Sequence, residues 1–441
     1  MFRAVGRGLH THVKACAKAD VVIVGGGVTG FSTAYHVALA NPDLTTVVVE
    51  KDSSYARASS ALSAASIRHQ FSTALNVQIG QVGSAFLDSA PQLLALDHPS
   101  AAPVDVGFVK RGYLFLTEDD QGAAVMRQNI AVQHAEGALS LPLTPDEVSE
   151  RFPYLETDAL TAACLGGEGE GWMDAYSVLM GFKGKALELG VSLASDSVVA
   201  MDVSTPQNDH LDQPVTVSSV RLESGDVIDL DEDSGVVVNA AGGSSHVVAD
   251  MYGCPLATRP HKRCVFVIEI EEGGKWAGHD LASTFPMLID SSGVWVRPEG
   301  KNRFITGVSP PPDRDPVMDV ADERTFDVDW SLFDDIIWPA LASRAPDLFG
   351  AIKVTDAWAG VYNMNPLDCN AILGKDSRTT NVLLGVGFSG HGLMQSPAVG
   401  RGLAELVVYG DYQTLDLTPF GVDRMLRSAA AVDPSIEHNV I

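Results

Sequence analysis

Asp20-Val-Val-Ile-Val24 leads straight into Gly25-Gly26-Gly27-Val28-Thr29-Gly30. The β-branched run has the composition of a strand buried on both faces, as in a parallel sheet. The glycines satisfy GxGxxG, and Phe31 to Ala40 continues as a helix that Asn41-Pro42 ends. A second strand, Thr45–Val49, stops at Glu50, 20 residues after Gly30. Strand, glycine turn, helix, strand and acid in that register form a dinucleotide-binding unit. Gly25 permits the tight turn, Gly27 lets the backbone approach a pyrophosphate, and Gly30 lets the helix pack on the strand. The helix N-terminus offers free N–H groups and a partial positive charge to the phosphates. Glu50 is suited to accept hydrogen bonds from the ribose hydroxyls. This unit alone leaves FAD and NAD both open.

The bulk numbers exclude several classes. A chain of 441 residues is too long for one compact core and implies two or three structural units. With 30 basic and 56 acidic residues, the formal net charge is −26. That balance argues against nucleic acid or anionic lipid as a partner, since both need basic patches. No apolar run approaches the roughly 18 residues that a transmembrane helix requires. Five cysteines (Cys16, Cys164, Cys254, Cys264, Cys369) are widely spaced, with no CxxC or Cys/His cluster. Neither a zinc site nor a disulfide framework is indicated, and a reducing compartment fits. Residues 1–19 carry Arg3, Arg7, Lys14 and Lys18 and no acid, while Phe2, Val5, Leu9 and Val13 share one helical face. That is the pattern of a mitochondrial presequence; a basic leader on a cytoplasmic protein is the alternative.

Further along, Arg57-Ala-Ser-Ser-Ala-Leu-Ser-Ala-Ala-Ser66 stands where an NAD-binding unit would proceed to its next strand. A flavoenzyme instead threads small residues past its pyrophosphate and ring. A helix is expected over 74–96, broken near Pro91, and helical structure over 118–152 with a capped start at Thr144-Pro-Asp-Glu147. Another helix is expected over 174–190, a strand over 191–203, and a hairpin joining 215–222 to 227–230 through Glu223-Ser-Gly-Asp226. Gly235-Val-Val-Val-Asn-Ala-Ala-Gly-Gly243 repeats the buried-strand-to-glycine theme. Residues 260–310 alternate like antiparallel strands. The strand Val382–Val386 then enters Gly387-Phe-Ser-Gly-His-Gly392, before a helix from Leu393 to Tyr409. A glycine turn at a helix N-terminus is a second anion site. Two such sites at opposite ends of the chain fit FAD better than NAD. The first takes the pyrophosphate, and the second stabilises negative charge on the N1/C2 edge of a reduced flavin.

Val21–Gly30 with Glu50, Asn239-Ala-Ala-Gly242, Trp358-Ala-Gly-Val-Tyr-Asn-Met-Asn-Pro366 and Gly387–Gly392 together resemble the glycine/sarcosine/D-amino-acid oxidase superfamily of FAD enzymes. The resemblance implies an α/β fold: a Rossmann-type FAD-binding domain (20–98, 160–250 and 356–441) interleaved with an α+β substrate domain on an antiparallel sheet (99–159 and 251–355). It implies noncovalent FAD, held by Gly25, Gly27, Gly30, Glu50, Lys51, Ser59, Ser60, Val199, Ala241 and Gly242, and at the flavin end by Gly387, Ser389, Gly390, His391, Gly392 and Met394. Positions that carry the covalent link in some relatives are Gly360 and Ser63 here. The family oxidises a C–N bond by hydride transfer to flavin. Arg68 aligns with an arginine that holds the substrate carboxylate, and Tyr362 is a candidate wall of the substrate pocket. Lysines of the oxidase relatives, one beside flavin N5 and one on the carboxylate, align with Ile305 and Met394. That loss points to a dehydrogenase passing electrons to a flavoprotein or quinone rather than to oxygen. Gln70-Phe71, Trp358–Gly374 and the ending Glu437-His-Asn-Val-Ile441 resemble a mitochondrial branch tied to respiratory complex I assembly. The branch implies assembly partners, and a rival reading in which FAD serves mainly to stabilise the fold.

Overall fold

The computed structural model describes residues 18–98, 102–204, 213–271, 274–276, 279–426 and 437. A six-stranded sheet runs in the order Ser192–Ala194, Thr46–Val49, Val21–Val24, Val236–Asn239, Val382–Val386, Ile372–Lys375. Its first five strands are parallel and only the last is antiparallel. The central strand is buried on both faces, as its unbroken β-branched run requires. Val21 and Ile23 pack among the helices, while Val22 and Val24 join a separate core with Val47, Val49 and Val237. On the helical side, Val28–Ala40 lies against Ala175–Glu188 and Gly392–Tyr409. The two glycine turns, 362 positions apart in the chain, thus open from neighbouring helices.

A second, eight-stranded sheet carries the long antiparallel pair Arg259–Ile270 and Ile352–Met364, followed by Arg303–Gly307, Trp295–Pro298 and Met287–Ile289. Tyr113–Thr117 joins it in parallel, and Ala162–Gly166 and Ser140–Leu143 complete it. The sheet includes Ala162–Gly166, just after the expected boundary at 159/160, and the whole of Ile352–Met364, within which the expected boundary at 355/356 falls. Strand pairing, not chain position, sets that limit.

Several local expectations meet their elements. The helix Ala74–Leu93 contains Pro91, and Thr144 and Glu147 form a capping box at the start of Pro145–Arg151. Thr216–Leu222 and Val227–Leu230 pair as the expected hairpin. The helical stretch over 118–152 is interrupted, since Ser140–Leu143 is a strand between helices Asp120–Ala135 and Pro145–Arg151. The strand over 191–203 is two strands: Ser192–Ala194 pairs with Thr46–Val49, whereas Val198–Ser204 belongs to a four-stranded sheet with Thr216–Leu222. Residues 1–17 of the basic leader lie outside the described residues. Lys18–Ala19 pairs with Asp229–Leu230, and Lys18 Nζ lies 2.9 Å from Asp231.

Candidate functional site

The parallel strands Val21–Val24 and Val236–Asn239 end side by side, and both chains leave them through small residues. Gly25 has φ +103°, and a Cβ there would lie 2.5 Å from the Ala240 carbonyl oxygen. A Cβ on Gly30 would lie 1.9 Å from the Gly25 oxygen. Both positions need glycine for space, and Gly25 for its backbone angle as well. The helix Val28–Ala40 begins at Gly27 with no capping bond from that residue. Ser60 Oγ, from the small-residue loop, accepts from Val28 N at 3.1 Å. Glu50 holds the other side: its Oε2 accepts from Gly26 N and its Oε1 from Asp52 N, each at 2.8 Å.

These groups line a cleft of about 500 Å³. Gly25, Gly27, Glu50, Lys51, Ser59 and Ser60 form one side, with Ala241 and Gly242 on another. Lys51 Nζ reaches to 3.4 Å from Ser244 Oγ, and Ser59 Oγ donates to the Val361 carbonyl at 2.8 Å. Asn363 ties these walls together, donating to the Gly242 carbonyl and, at 2.6 Å, to Ser245 Oγ. At the far end stand Tyr362, Phe388, Gly390 and Gly392. The Tyr362 ring lies so near Gly390 that a Cβ would approach it to 2.5 Å.

The expected residues thus divide into a lining group and a supporting group. Gly30 and Gly387 support the turns from behind. Ser389 is fully buried with φ +49°; its N–H donates to the Asn363 carbonyl at 2.9 Å, and its Oγ accepts from Asn365 N at 3.0 Å. His391 and Met394 are buried behind the turn. Val199 lies apart from both groups. It is 50% exposed and does not line the cleft, because its strand has left the central sheet; Ser197, at the crossing, lines the cleft instead.

Arg68 is brought beside the flavin-end turn but not into the cleft. It is 1% exposed, with its guanidinium 4.0 Å from the centre of the Phe71 ring and 5.7 Å from that of Phe115. Nη1 donates to the Gln70 carbonyl, and Nη2 lies 3.1 Å from His391 Nε2. Burial first, and then the Arg68 charge, hold the His391 imidazole well below its ordinary value. Beneath them, Glu170 accepts from His69 N and Gln70 Nε2, each at 3.0 Å. Burial pushes its carboxyl up to about 7.

One wall was not legible in the sequence. Val320, Ala321 and Phe326 reach across from the other domain and line the cleft. Arg57 latches this segment through Glu323 Oε1 at 2.6 Å, with its guanidinium 5.5 Å from the centre of the Phe326 ring. Nothing near Arg57 in the chain signals partners more than 260 positions away.

The residues fit FAD. Two glycine turns and an acid at the second strand end line one elongated cleft, with N–H groups at one end and an aromatic wall at the other. Among the described residues no cluster of His, Cys, Asp or Glu could hold a metal ion.

A family model described as "FAD dependent oxidoreductase" matches residues 20–406. The chain is 36% identical over 451 aligned residues to "FAD-dependent oxidoreductase domain-containing protein 1" of Xenopus laevis, covering 96% of this chain and 85% of that protein. Among solved structures, L-proline dehydrogenase from P. horikoshii matches with a TM-score of 0.76 at 22% identity, over 93% of this chain and 98% of that one. Glycine oxidase from Geobacillus kaustophilus matches with a TM-score of 0.73 at 20% identity, over 92% and 98%. At those identities the structural likeness concerns the fold.

Proposed function

The chain belongs to the family of FAD-dependent oxidoreductases, and on that premise we propose that it oxidises the C–N bond of a small amine or amino acid as a dehydrogenase. Bound FAD supplies the hydride acceptor, and the protein supplies position and charge. The observation that carries this reading is the meeting of Tyr362 with Gly390 where the cleft ends, which sets an aromatic wall against the glycine turn. Gly390 and Gly392 open the N-terminal end of the helix Gly392–Tyr409 toward the cleft. Arg68, acting through His391, adds positive charge behind that end and serves as a positioning residue. Tyr362 walls the space where the amine carbon is presented.

The preference for dehydrogenation rests on uncharged, apolar side chains where the oxidase relatives place lysines. Ile305 is 1% exposed and Met394 is buried. Without an ammonium at the Ile305 position, transfer of an electron to oxygen loses electrostatic help. Electrons then pass to a flavoprotein or quinone. The acid-free basic leader supports location in the mitochondrial matrix.

Anaerobic mixing of the holoprotein with a panel of N-methyl and free amino acids tests the reading. Bleaching of the flavin band by a subset is expected, and no bleaching across the panel would sink it. With a bleaching substrate, a dye acceptor should outpace oxygen; faster oxygen consumption would overturn the dehydrogenase half. The enclosure of Arg68 favours a second reading, in which FAD is kept for stability and the protein serves respiratory complex I assembly with little turnover.

A further inference from the structure

A second cavity, of about 530 Å³, lies across the small-residue loop from the cofactor cleft, and Ser63 lines both. Its size falls within the ~300–1,000 Å³ range of small-molecule sites. Trp172, Tyr176 and Trp358 supply aromatic walls, and Arg297 is the cation among the residues that line it. Arg297 stands directly opposite Ile305 across two paired strands, and both residues line the cavity, so the rigid sheet fixes where the guanidinium points.

Arg297 is only 5% exposed, and its donors can be counted. Nε donates to the Ala64 carbonyl at 3.0 Å; Nη1 donates to the Pro298 carbonyl at 2.9 Å and to Glu299 Oε2 at 2.5 Å. Those bonds use three of the five N–H groups of a guanidinium. The two on Nη2 have no partner among the described residues. The centre of the Trp172 ring lies 5.5 Å from the guanidinium carbon. Nη2 opens on the cavity, where a ligand oxygen can accept from both of its N–H groups in place of water. Asp174, the other acid at the cavity, accepts from Ser177 N at 2.6 Å at the start of a helix, and its charge also acts on Arg297.

We propose that this cavity is a binding site for a small organic carboxylate, gripped by Nη2 of Arg297 against the aromatic walls. Glu299 already pairs with Nη1, so a carboxylate on Nη2 would share the guanidinium with it, and a phosphate dianion would call for more cations. The carboxylate comes either from the amine substrate or from a separate effector.

Binding is measured on the oxidised holoprotein and so does not depend on turnover. Benzoate and its neutral counterpart benzamide are the probes, titrated by calorimetry. Benzoate should bind at least tenfold more tightly than benzamide. Arg297→Met should erase that difference, and Arg297→Lys should restore part of it, with FAD content unchanged. Glu299→Gln removes the competing acid at the cavity rim and should tighten benzoate; it also keeps the proposal falsifiable where Arg297→Met does not fold. Equal binding of the two probes, no benzoate binding, or an unaltered benzoate constant in Glu299→Gln each overturns the site. Benzoate that slows flavin reduction by competing with the amine assigns the carboxylate to the substrate. Binding without competition assigns it to an effector. If no amine reduces the flavin while benzoate still binds through Arg297, the oxidoreductase reading fails and this site stands.

Discussion

Nη2 of Arg68 lies 3.1 Å from Nε2 of His391, joining residues 323 positions apart at the start of the C-terminal helix. A guanidinium only donates, so His391 accepts through Nε2 and carries its proton on Nδ1. A protonated ring would set two buried cations side by side.

This pairing fixes a pH dependence. The folded state holds His391 well below the ordinary value of about 6.5. His36 and His69, each lowered mainly by burial to about 4, share the sign. The unfolded chain therefore binds more protons below about pH 6.5, and stability contributed by these groups is present above that pH and lost as pH falls. Glu170, raised to about 7, acts oppositely and loses stability as pH rises from its unfolded value. Thermal unfolding of His391→Gln from pH 7 to pH 5 should show a shallower fall than the parent, by up to about 1.4 kcal/mol per pH unit. Parallel profiles would remove His391 from this account.

At the pyrophosphate end, Gly30→Ala places a methyl 1.9 Å from a backbone oxygen that no rotamer can move. The cost should exceed about 3 kcal/mol. The expected product is aggregated or colourless protein. A yellow, folded Gly30→Ala with a full FAD complement would show that the turn yields.

Glu50 offers a gentler test. Glu50→Gln exchanges one of the two acceptors that hold Gly26 N and Asp52 N for a donor, and weakens the acceptor for ribose. FAD affinity should fall about tenfold or more, equivalent to ~1.4 kcal/mol or above. Fluorescence titration of the apoprotein with FAD measures it.

Gly360 and Ser63 offer no nucleophile of the kind that anchors flavin in the covalent relatives, and no cysteine or histidine lines the cleft among the described residues. Acid precipitation should leave a white pellet and a yellow supernatant. Flavin retained in the pellet would refute noncovalent binding.

Glu437 closes a distant junction. Its carboxylate accepts from Ser72 N at 3.1 Å and from Asn76 Nδ2 at 3.0 Å, at the start of the helix Ala74–Leu93, whose Thr73 supplies no capping bond itself. Glu437→Ala removes an acceptor of Ser72 N and one of three acceptors around Asn76 Nδ2, and should cost about 1 kcal/mol. Glu437→Gln, which keeps one acceptor, should cost less. Calorimetric unfolding of the two variants, equal to the parent in both cases, would dismiss the cap.

What the sequence determined by itself is the pair of glycine turns and the acid at Glu50. Their constraints are local: a carbonyl one turn away excludes a side chain at Gly30, and a strand, a helix and a second strand follow in register within 30 residues. The FAD site was legible for that reason. Only the tertiary structure decided what surrounds it. Val199 fell outside the cleft because its strand exchanged one sheet for another after Ala194. Arg68 read as a ligand-binding arginine, yet Phe71, Gln70 and His391 enclose it. Arg297, unremarked in a strand of the second sheet, faces a cavity with two donors unused. Propensity and side-chain alternation fix an element and its faces over a few residues. Which face meets a core and which meets a cavity depends on strand pairings made by residues far apart in the chain.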